Sequence, residues 1–340
     1  FLLLNGDSTV IWVVGKKMSQ AVIRMQNKLY AALDVGGTKI YTVLADANKQ
    51  IIARQKTATL AEAGPEKVIK QLIATVRQLM KTEQLQDAQL AAVGVCIAGF
   101  YDWHNRILVH SPNLPGWSNV PLEEILAAEF AVPARVENDA NAAAVGEVSF
   151  GAGRNHNNVV FVTISTGIGA GLIINGQLYR GSSGVAGEIG HFIVQPDGPR
   201  CGCGQQGCLE TVASGTAIGR QGQKAAACGQ SALLQSLVSE PAAVTAQEVF
   251  KAARLGDPAA QKILHEALTY LGLTLVNIVN LLNPSAVILG GGVTAAGDEI
   301  LLSLRKIIAE HAVSAAAKAV QLKLAALGEE AGVLGMLALL

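Results

Sequence analysis

Hydrophobic and polar positions run through two similar cycles along this chain. The first begins at "KLYAALDVGGTKIYTVLADANKQIIARQKTAT", where apolar, β-branched-rich runs are broken by Gly-Gly and then by Ala-Asn. That pattern predicts strand, Gly36-Gly37 turn, strand, turn, strand. In "GPEKVIKQLIATVRQLMKTEQ", Val68, Leu72, Ile73, Val76, Leu79 and Met80 recur at helical spacing and predict an amphipathic helix. "LAAVGVCIAGF" reads as a buried strand, "HSPNLPGW" as a loop punctuated by proline and glycine, and "PLEEILAAEF" as a helix. "PARVEND" is a strand stopped by Asn-Asp, and "ANAAAVGEVSFGAG" a helix with a glycine-rich end.

The second cycle repeats the opening of the first. "NVVFVTISTGIGAGLIINGQLYRG" predicts strand, glycine-rich turn, strand, Asn-Gly turn, strand, so two lobes built on one plan are expected. Beyond a cysteine cluster the pattern becomes helical. "DPAAQKILHEALTYLGLTLVNIVNLLNP" is one long helix or two, and "AVILGGGV" a strand entering three glycines. The expected organisation is a first lobe over 28–140, a second over 141–327, and a C-terminal helix near 328–340 that packs back on the first. Residues 1–27 read as a leader or poorly ordered extension: Phe1 is not a natural start, and the apolar run there lacks the preceding basic segment of an export signal.

Composition narrows the function classes. Half of the 340 residues are apolar, 15% are charged and the formal net charge is zero, so a sizeable core is available and no global field attracts nucleic acid or an anionic membrane. No 18-residue apolar run suits a transmembrane helix, and a cytoplasmic protein is expected. In a reducing compartment, close-set cysteines suggest a metal or redox chemistry before a structural disulfide.

Three glycine-rich turns stand at strand ends: Gly36-Gly37, "STGIGAG" at 165–171, and Gly290-Gly291-Gly292. Glycine permits positive φ and lets backbone N–H groups approach an anion. Neither a dinucleotide fingerprint nor a Walker loop is present; Thr38 and Lys39 follow the first turn on a strand. Asp34 is either a turn cap or a direct or water-mediated Mg²⁺ partner beside a triphosphate. Asp139 stands where a strand becomes a helix: it is a cap, or a base for a hydroxyl nucleophile, with helix N–H groups favouring its charged form.

"CGCGQQGCLE" places Cys201, Cys203 and Cys208 ten or more residues after His191. Three thiols and one imidazole form a common closed zinc set; a disulfide leaves an odd thiol, and a redox thiol does not need three. A clamped loop would hold Glu188 and Glu210, acidic groups suited to sugar hydroxyls or simply solvated. Cys96 and Cys228 read as buried or inert thiols, and His104, His110, His156, His265 and His311 as surface or loop residues.

Jointly, "LDVGGTKI", "SPNLPGW", "VENDANAAA", "TISTGIGAGLIINGQLYRG", "GEIGH" with "CGCGQQGCLE", "VILGGGV" and "ALGEEAGVLG" resemble the ROK family of sugar kinases and repressors over residues 29–337. The resemblance implies an α/β, actin-like (ribonuclease H-type) duplicated two-lobe kinase fold with a zinc-bound loop over 188–210 and a sugar held between the lobes. It implies Asp139 as general base, and Asn113, Asn138, Glu188, His191 and Glu210 as ligands of the sugar hydroxyls. Asp34, Gly36, Gly37, Thr38, Lys39, Thr166, Gly167, Gly291 and Gly292 would serve ATP and its Mg²⁺. His191, Cys201, Cys203 and Cys208 would hold a structural zinc. A homodimer that phosphorylates glucose at its 6-hydroxyl follows most directly. Fructose, allose, N-acetylglucosamine and N-acetylmannosamine are alternative substrates, and a sugar-responsive repressor is a further alternative. Against the repressor, the 33 residues before Asp34 show no helix pair and the neutral charge offers no basic DNA face. Phe100, Ser165 and Ala170 depart from the family pattern and are expected to add bulk near the nucleotide or sugar loops.

Overall fold

The computed structural model describes residues 28–340; the expected leader over 1–27 lies outside them. Two compact units result: the described residues up to Asn138 with Met336–Leu340, and Asp139–Gly335.

In the first unit, β1 (Leu29–Val35), β2 (Lys39–Ala45) and β3 (Ile51–Ala58) form an antiparallel meander. Helix α1 (Pro65–Thr82) follows, then β4 (Leu90–Ile97), a small sheet of β5 (Phe100–Asp102), β6 (Ile107–His110) and β7 (Ser118–Val120), helix α2 (Leu122–Phe130) and β8 (Ala134–Asn138). The five-stranded order is β3-β2-β1-β4-β8, with β4 parallel to both β1 and β8. Proline at its first position starts α1, whose Val68, Leu72, Val76, Leu79 and Met80 are buried, with Ile73 partly so. They pack in one core with Leu33, Leu44 and Trp117.

The second unit opens on α3 (Asp139–Phe150), then β9 (Val159–Ile164), β10 (Ile168–Ile174) and β11 (Gln177–Tyr179). Helices α4 (Glu210–Ala213), α5 (Gly215–Ala227), α6 (Ala232–Leu237), α7 (Ala246–Arg254) and α8 (Pro258–Leu282) precede β12 (Ala286–Gly290). Then come α9 (Asp298–His311), α10 (Ser314–Ala319), β13 (Gln321–Leu324) and α11 (Ala331–Leu339). The order β11-β10-β9-β12-β13 repeats the first sheet, antiparallel meander and parallel strands alike. The run from Pro258 is one helix, capped by Asp257 accepting from Ala260 N at 2.8 Å and ended by Asn283 in the left-handed region.

Two residues outside the candidate site can be placed more finely. Cys228 follows the last turn of α5 and is exposed, because the helix ends before it. His156 is half-buried, with Nδ1 3.0 Å from Ser285 Oγ and Nε2 2.9 Å from Lys323 Nζ. Burial and then the lysine charge hold its pKa below the usual histidine value.

Within the second unit α3 and α11 cross at glycine. A Cβ on Gly335 would meet Ala142 O and, at 3.0 Å, Gly146 N; one on Gly146 would meet Ala331 O. Glu147, fully buried, accepts from Ala152 N at 2.7 Å, Ala326 N at 2.9 Å and Leu327 N at 2.8 Å. Its charge is thereby met by backbone donors rather than by a cation.

Candidate active site

In the first unit, Gly36 and Gly37 make the β1–β2 turn, and neither uses positive φ. Close approach explains Gly37 instead: a Cβ there would lie 2.7 Å from Asn113 O. Thr59 holds the turn, donating through Oγ1 to Gly36 O at 2.7 Å and through N to Thr38 O at 3.0 Å. Thr38 and Lys39 are exposed, while Asp34, one strand residue earlier than Val35, is half-buried. Asn138, at the end of β8, donates to Gly99 O at 3.2 Å, and Ser111 Oγ to Ala98 O at 2.7 Å. The turn after β4 thus ties Asn138 to the loop that carries Asn113, and that loop in turn abuts Gly37.

In the second unit, Asp139 is the first residue of α3. Two glycines of β10 seat this helix: a Cβ on Gly171 would come 2.5 Å from Ala144 Cβ and 2.6 Å from Ala140 O, and one on Gly169 3.4 Å from Ala140 Cβ. Asp139 keeps some solvent contact, yet its carboxyl is surrounded by protein. Desolvation raises its pKa above the usual carboxylate value, partly offset by the Ala140 N–H at 2.9 Å. Burial therefore outweighs the helix N–H groups that were expected to favour the charged form. Glu188 is raised as well, by burial first, against the lowering effect of His191 and with the charges of Asp139 and Glu210 adding to the rise. These three carboxylates and His191 belong to one electrostatic cluster.

His191 joins that cluster to the cysteines. Its Nδ1 is 3.6 Å from Cys201 Sγ and its Nε2 3.8 Å from Glu188 Oε2, while Cys203 Sγ and Cys208 Sγ are 3.7 Å apart. All four ligand atoms of His191, Cys201, Cys203 and Cys208 lie within 4.8 Å of one another. The sulfurs are free thiols, far beyond the roughly 2.05 Å of a disulfide. A tetrahedral ion with metal–sulfur bonds of about 2.3 Å and metal–nitrogen bonds of about 2.05 Å has S–S edges of about 3.8 Å and S–N edges of about 3.6 Å. The cluster fits such an ion. Burial, then the neighbouring thiols, push Cys208 up to about 12 without a metal.

Loop chemistry makes the cluster possible. Gly204 (φ +91) and Gly207 (φ +75) take conformations that other residues resist, and a Cβ on Gly207 would overlap Gln195 O. Bridges pair Ile193 with Cys208 and Arg200 with Gln206, and Leu209 N donates to Phe192 O at 2.8 Å. The loop then delivers Glu210. Its Oε2 accepts from Ile168 N at 3.2 Å, lying over Gly167, and its Oε1 is 3.8 Å from Cys201 Sγ.

Beside the 165–167 turn lies a cavity of about 650 Å³, within the roughly 300–1,000 Å³ of small-molecule sites. Ser165, Thr166 and Gly292 line it, with Gly215, Thr216, Gly219, Gln247 and Arg254. Gly291 (φ +86) packs on the Ile164 backbone and is the turn glycine that does use positive φ. The lining from α5 and α7 was missed in the sequence, which shows no more than a helical pattern there. Ser-Gly-Thr at 214–216 is the available signal: Ser214 caps α5 by accepting from Ala217 N at 3.1 Å. Of the expected bulky departures, Ser165 lines this cavity and Phe100 opens β5, but Ala170 is buried in the core. Alternation along β10 turns Ala170 inward, so it adds no bulk at the turn.

A duplicated α/β fold with a metal-competent loop and a cavity at a glycine turn defines the class. The chain belongs to the ROK family, which it matches over residues 30–340. It is 36% identical over 303 residues to a glucokinase of Thermotoga maritima, covering 89% of this chain and 94% of that one. It is 33% identical over 332 residues to a xylose repressor of Bacillus spizizenii, covering 98% of this chain and 79% of that one. A crystal structure of a ROK family glucokinase from Streptomyces griseus, in complex with glucose and AMPPNP, superposes with TM-score 0.77 at 36% identity, over 92% of this chain and 98% of that one. Among the described residues, no helix is long and apolar enough to cross a membrane.

Proposed function

We propose that this protein is an ATP-dependent hexose kinase that converts glucose to glucose 6-phosphate, with Asp139 as general base. The observation that carries the proposal is the carboxyl of Asp139, raised in pKa at the head of a helix and electrostatically coupled to Glu188 beside His191. A base is most effective when its pKa approaches the working pH, and desolvation moves Asp139 that way. As the 6-hydroxyl attacks the γ-phosphorus, its proton passes to Asp139, and the bond to the leaving ADP oxygen breaks. Phosphoryl transfer asks little more of the protein than position and charge stabilisation.

Asn113, Asn138, Glu188, His191 and Glu210 hold and orient the sugar hydroxyls in this reading. Thr166, Gly167, Gly291 and Gly292, with the adjoining cavity, receive the nucleotide. Asp34, Gly36, Gly37, Thr38 and Lys39 serve the triphosphate, where Mg²⁺, when bound, supplies charge neutralisation. His191 and the three cysteines would hold a structural zinc, which would fix the loop; His191 Nδ1 faces Cys201 Sγ, and Nε2, on the Glu188 side, would remain for sugar. Five free cysteines suit a reducing cytoplasm. Exposed Leu281, Leu302 and Val313 support a homodimer.

Similarity to a xylose repressor supports a second reading, sugar binding without turnover. Asp139→Asn separates the two. The variant is expected to bind glucose normally while kcat falls roughly 10²- to 10⁴-fold. The wild-type acid limb of kcat/KM should lie above the ordinary carboxylate range, since Asp139 must be ionised to act, and should disappear in the variant. Near wild-type turnover in Asp139→Asn would refute the assignment.

A further inference from the structure

The turn that carries Thr166 and Gly167 is supported from one segment, 208–215, which starts at a metal-site cysteine. Glu210 Oε2 accepts from Ile168 N at 3.2 Å, and Gly215 N donates to Ser165 O at 2.8 Å. Both contacts are close. A Cβ on Gly167 would collide with Glu210 Oε2, and one on Gly215 would lie 2.7 Å from Ser165 O. The same carboxylate reaches back to the metal set, with Oε1 3.8 Å from Cys201 Sγ. Past Gly215 the chain becomes the first turn of α5, where Gly215, Thr216 and Gly219 line the cavity. Cys208, Glu210 and Gly215 therefore form one short mechanical path from the metal set to the cavity wall.

We infer that Glu210 is a positioning residue for the nucleotide as well as a sugar ligand, coupling the metal loop and sugar site to the 165–168 turn. The inference rests on the kinase reading for what binds beside that turn. Its physical content is a linkage. Sugar or metal that fixes Glu210 also fixes the Ile168 N–H, and with it the backbone of Thr166 and Gly167. A nucleotide then meets a turn whose ordering has already been accomplished, so each ligand tightens the other by the same factor. With the loop loosened, the turn keeps only the Gly215–Ser165 bond from this segment.

The test is titration calorimetry on the full metal-loaded chain with Mg²⁺ and a non-hydrolysable ATP analogue, with and without saturating glucose. In the wild type glucose should tighten analogue binding by roughly 5- to 150-fold. Glu210→Ala should bind the analogue more weakly even without glucose and lose the glucose effect. Glu210→Gln, which retains one acceptor oxygen for Ile168 N, should recover most of the sugar-free affinity. That recovery is something a role confined to the sugar would not produce. Bound metal and melting temperature are measured on each variant. Should Glu210→Ala fail to fold or to retain metal, Glu210→Gln and chelated wild type decide: weaker analogue binding in chelated protein without glucose supports the coupling, and unchanged binding overturns it. Wild type and Glu210→Ala that bind the analogue equally, with no glucose effect in either, overturn the coupling and leave the kinase assignment intact. A wild type that binds neither glucose nor analogue defeats both.

Discussion

The two sheets share strand order and direction, yet their leading hairpin turns are secured differently. In the first unit β3 runs from Ile51 to Ala58 and is followed at once by Thr59, whose hydroxyl and N–H clamp the Gly36–Thr38 turn. In the second unit the matching strand β11 has three residues, Gln177–Tyr179, and the chain leaves the sheet to build the metal loop. The 165–168 turn is then secured by Glu210 and Gly215, on the far side of that loop. One turn takes its hydrogen bonds from the end of its own hairpin sheet, at Thr59. The other takes two of its hydrogen bonds from a segment more than 40 positions later. In the second copy of the plan, the support of the turn comes from a segment that begins at a cysteine of the metal-competent cluster.

That contrast can be broken at its strongest point first. Cys208, fully buried, cannot be replaced by serine without leaving a hard hydroxyl in a thiolate set. Cys208→Ser should weaken metal binding by roughly 100-fold or more, read by competition with a chromophoric chelator. Glucose affinity and melting temperature should fall with it, and chelation of the wild type should reproduce both. A stripped protein with full glucose affinity would deny the loop its role. A smaller effect is expected where α3 and α11 cross. Gly335→Ala places a methyl against Ala142 O and Gly146 N, and should cost about 1–3 kcal/mol in urea unfolding. Metal affinity should be unchanged, because the close approaches at the crossing are to Ala142, Gly146 and Ala331 and not to the metal-competent residues. The smallest effect belongs to the turn clamped by Thr59. Thr59→Val removes the hydroxyl bond to Gly36 O and should cost about 0.5–1.5 kcal/mol, with the same difference in loaded and chelated protein. A metal-dependent cost at Thr59 would erase the distinction between the turns.

How much of this was legible beforehand varies with how local each cause is. Strand and helix periodicity, the repeated meander and the crowding of three cysteines near His191 are short-range patterns; two α/β lobes on one plan and the metal-competent cluster follow from them, while the actin-like fold class came from the family resemblance. Asp139 and the glycine turns stood out at strand ends, and the family resemblance then gave them roles. Causes that act across the chain were not legible. Gly37 is required by Asn113, 76 positions later, and not by a positive φ. Asp139 has a raised pKa because of desolvation by residues remote in sequence, which overrides the local helix effect. Ala170 faces the core because strand register, not its place in a glycine-rich run, sets its direction. The cavity wall from α5 and α7 could not be separated from ordinary helix packing until the helices were seen against the turn.

The central claim is phosphoryl transfer to a hexose hydroxyl, and product analysis reaches it most directly. Metal-loaded protein, given Mg-ATP and glucose, fructose, mannose, allose, N-acetylglucosamine or N-acetylmannosamine in turn, is followed by ADP release and by phosphorus NMR of the products. One glucose 6-phosphate for each ADP, at the highest kcat/KM of the panel, is the predicted result. Tight glucose binding with no phosphosugar, or ADP release with inorganic phosphate as its only partner, would contradict it.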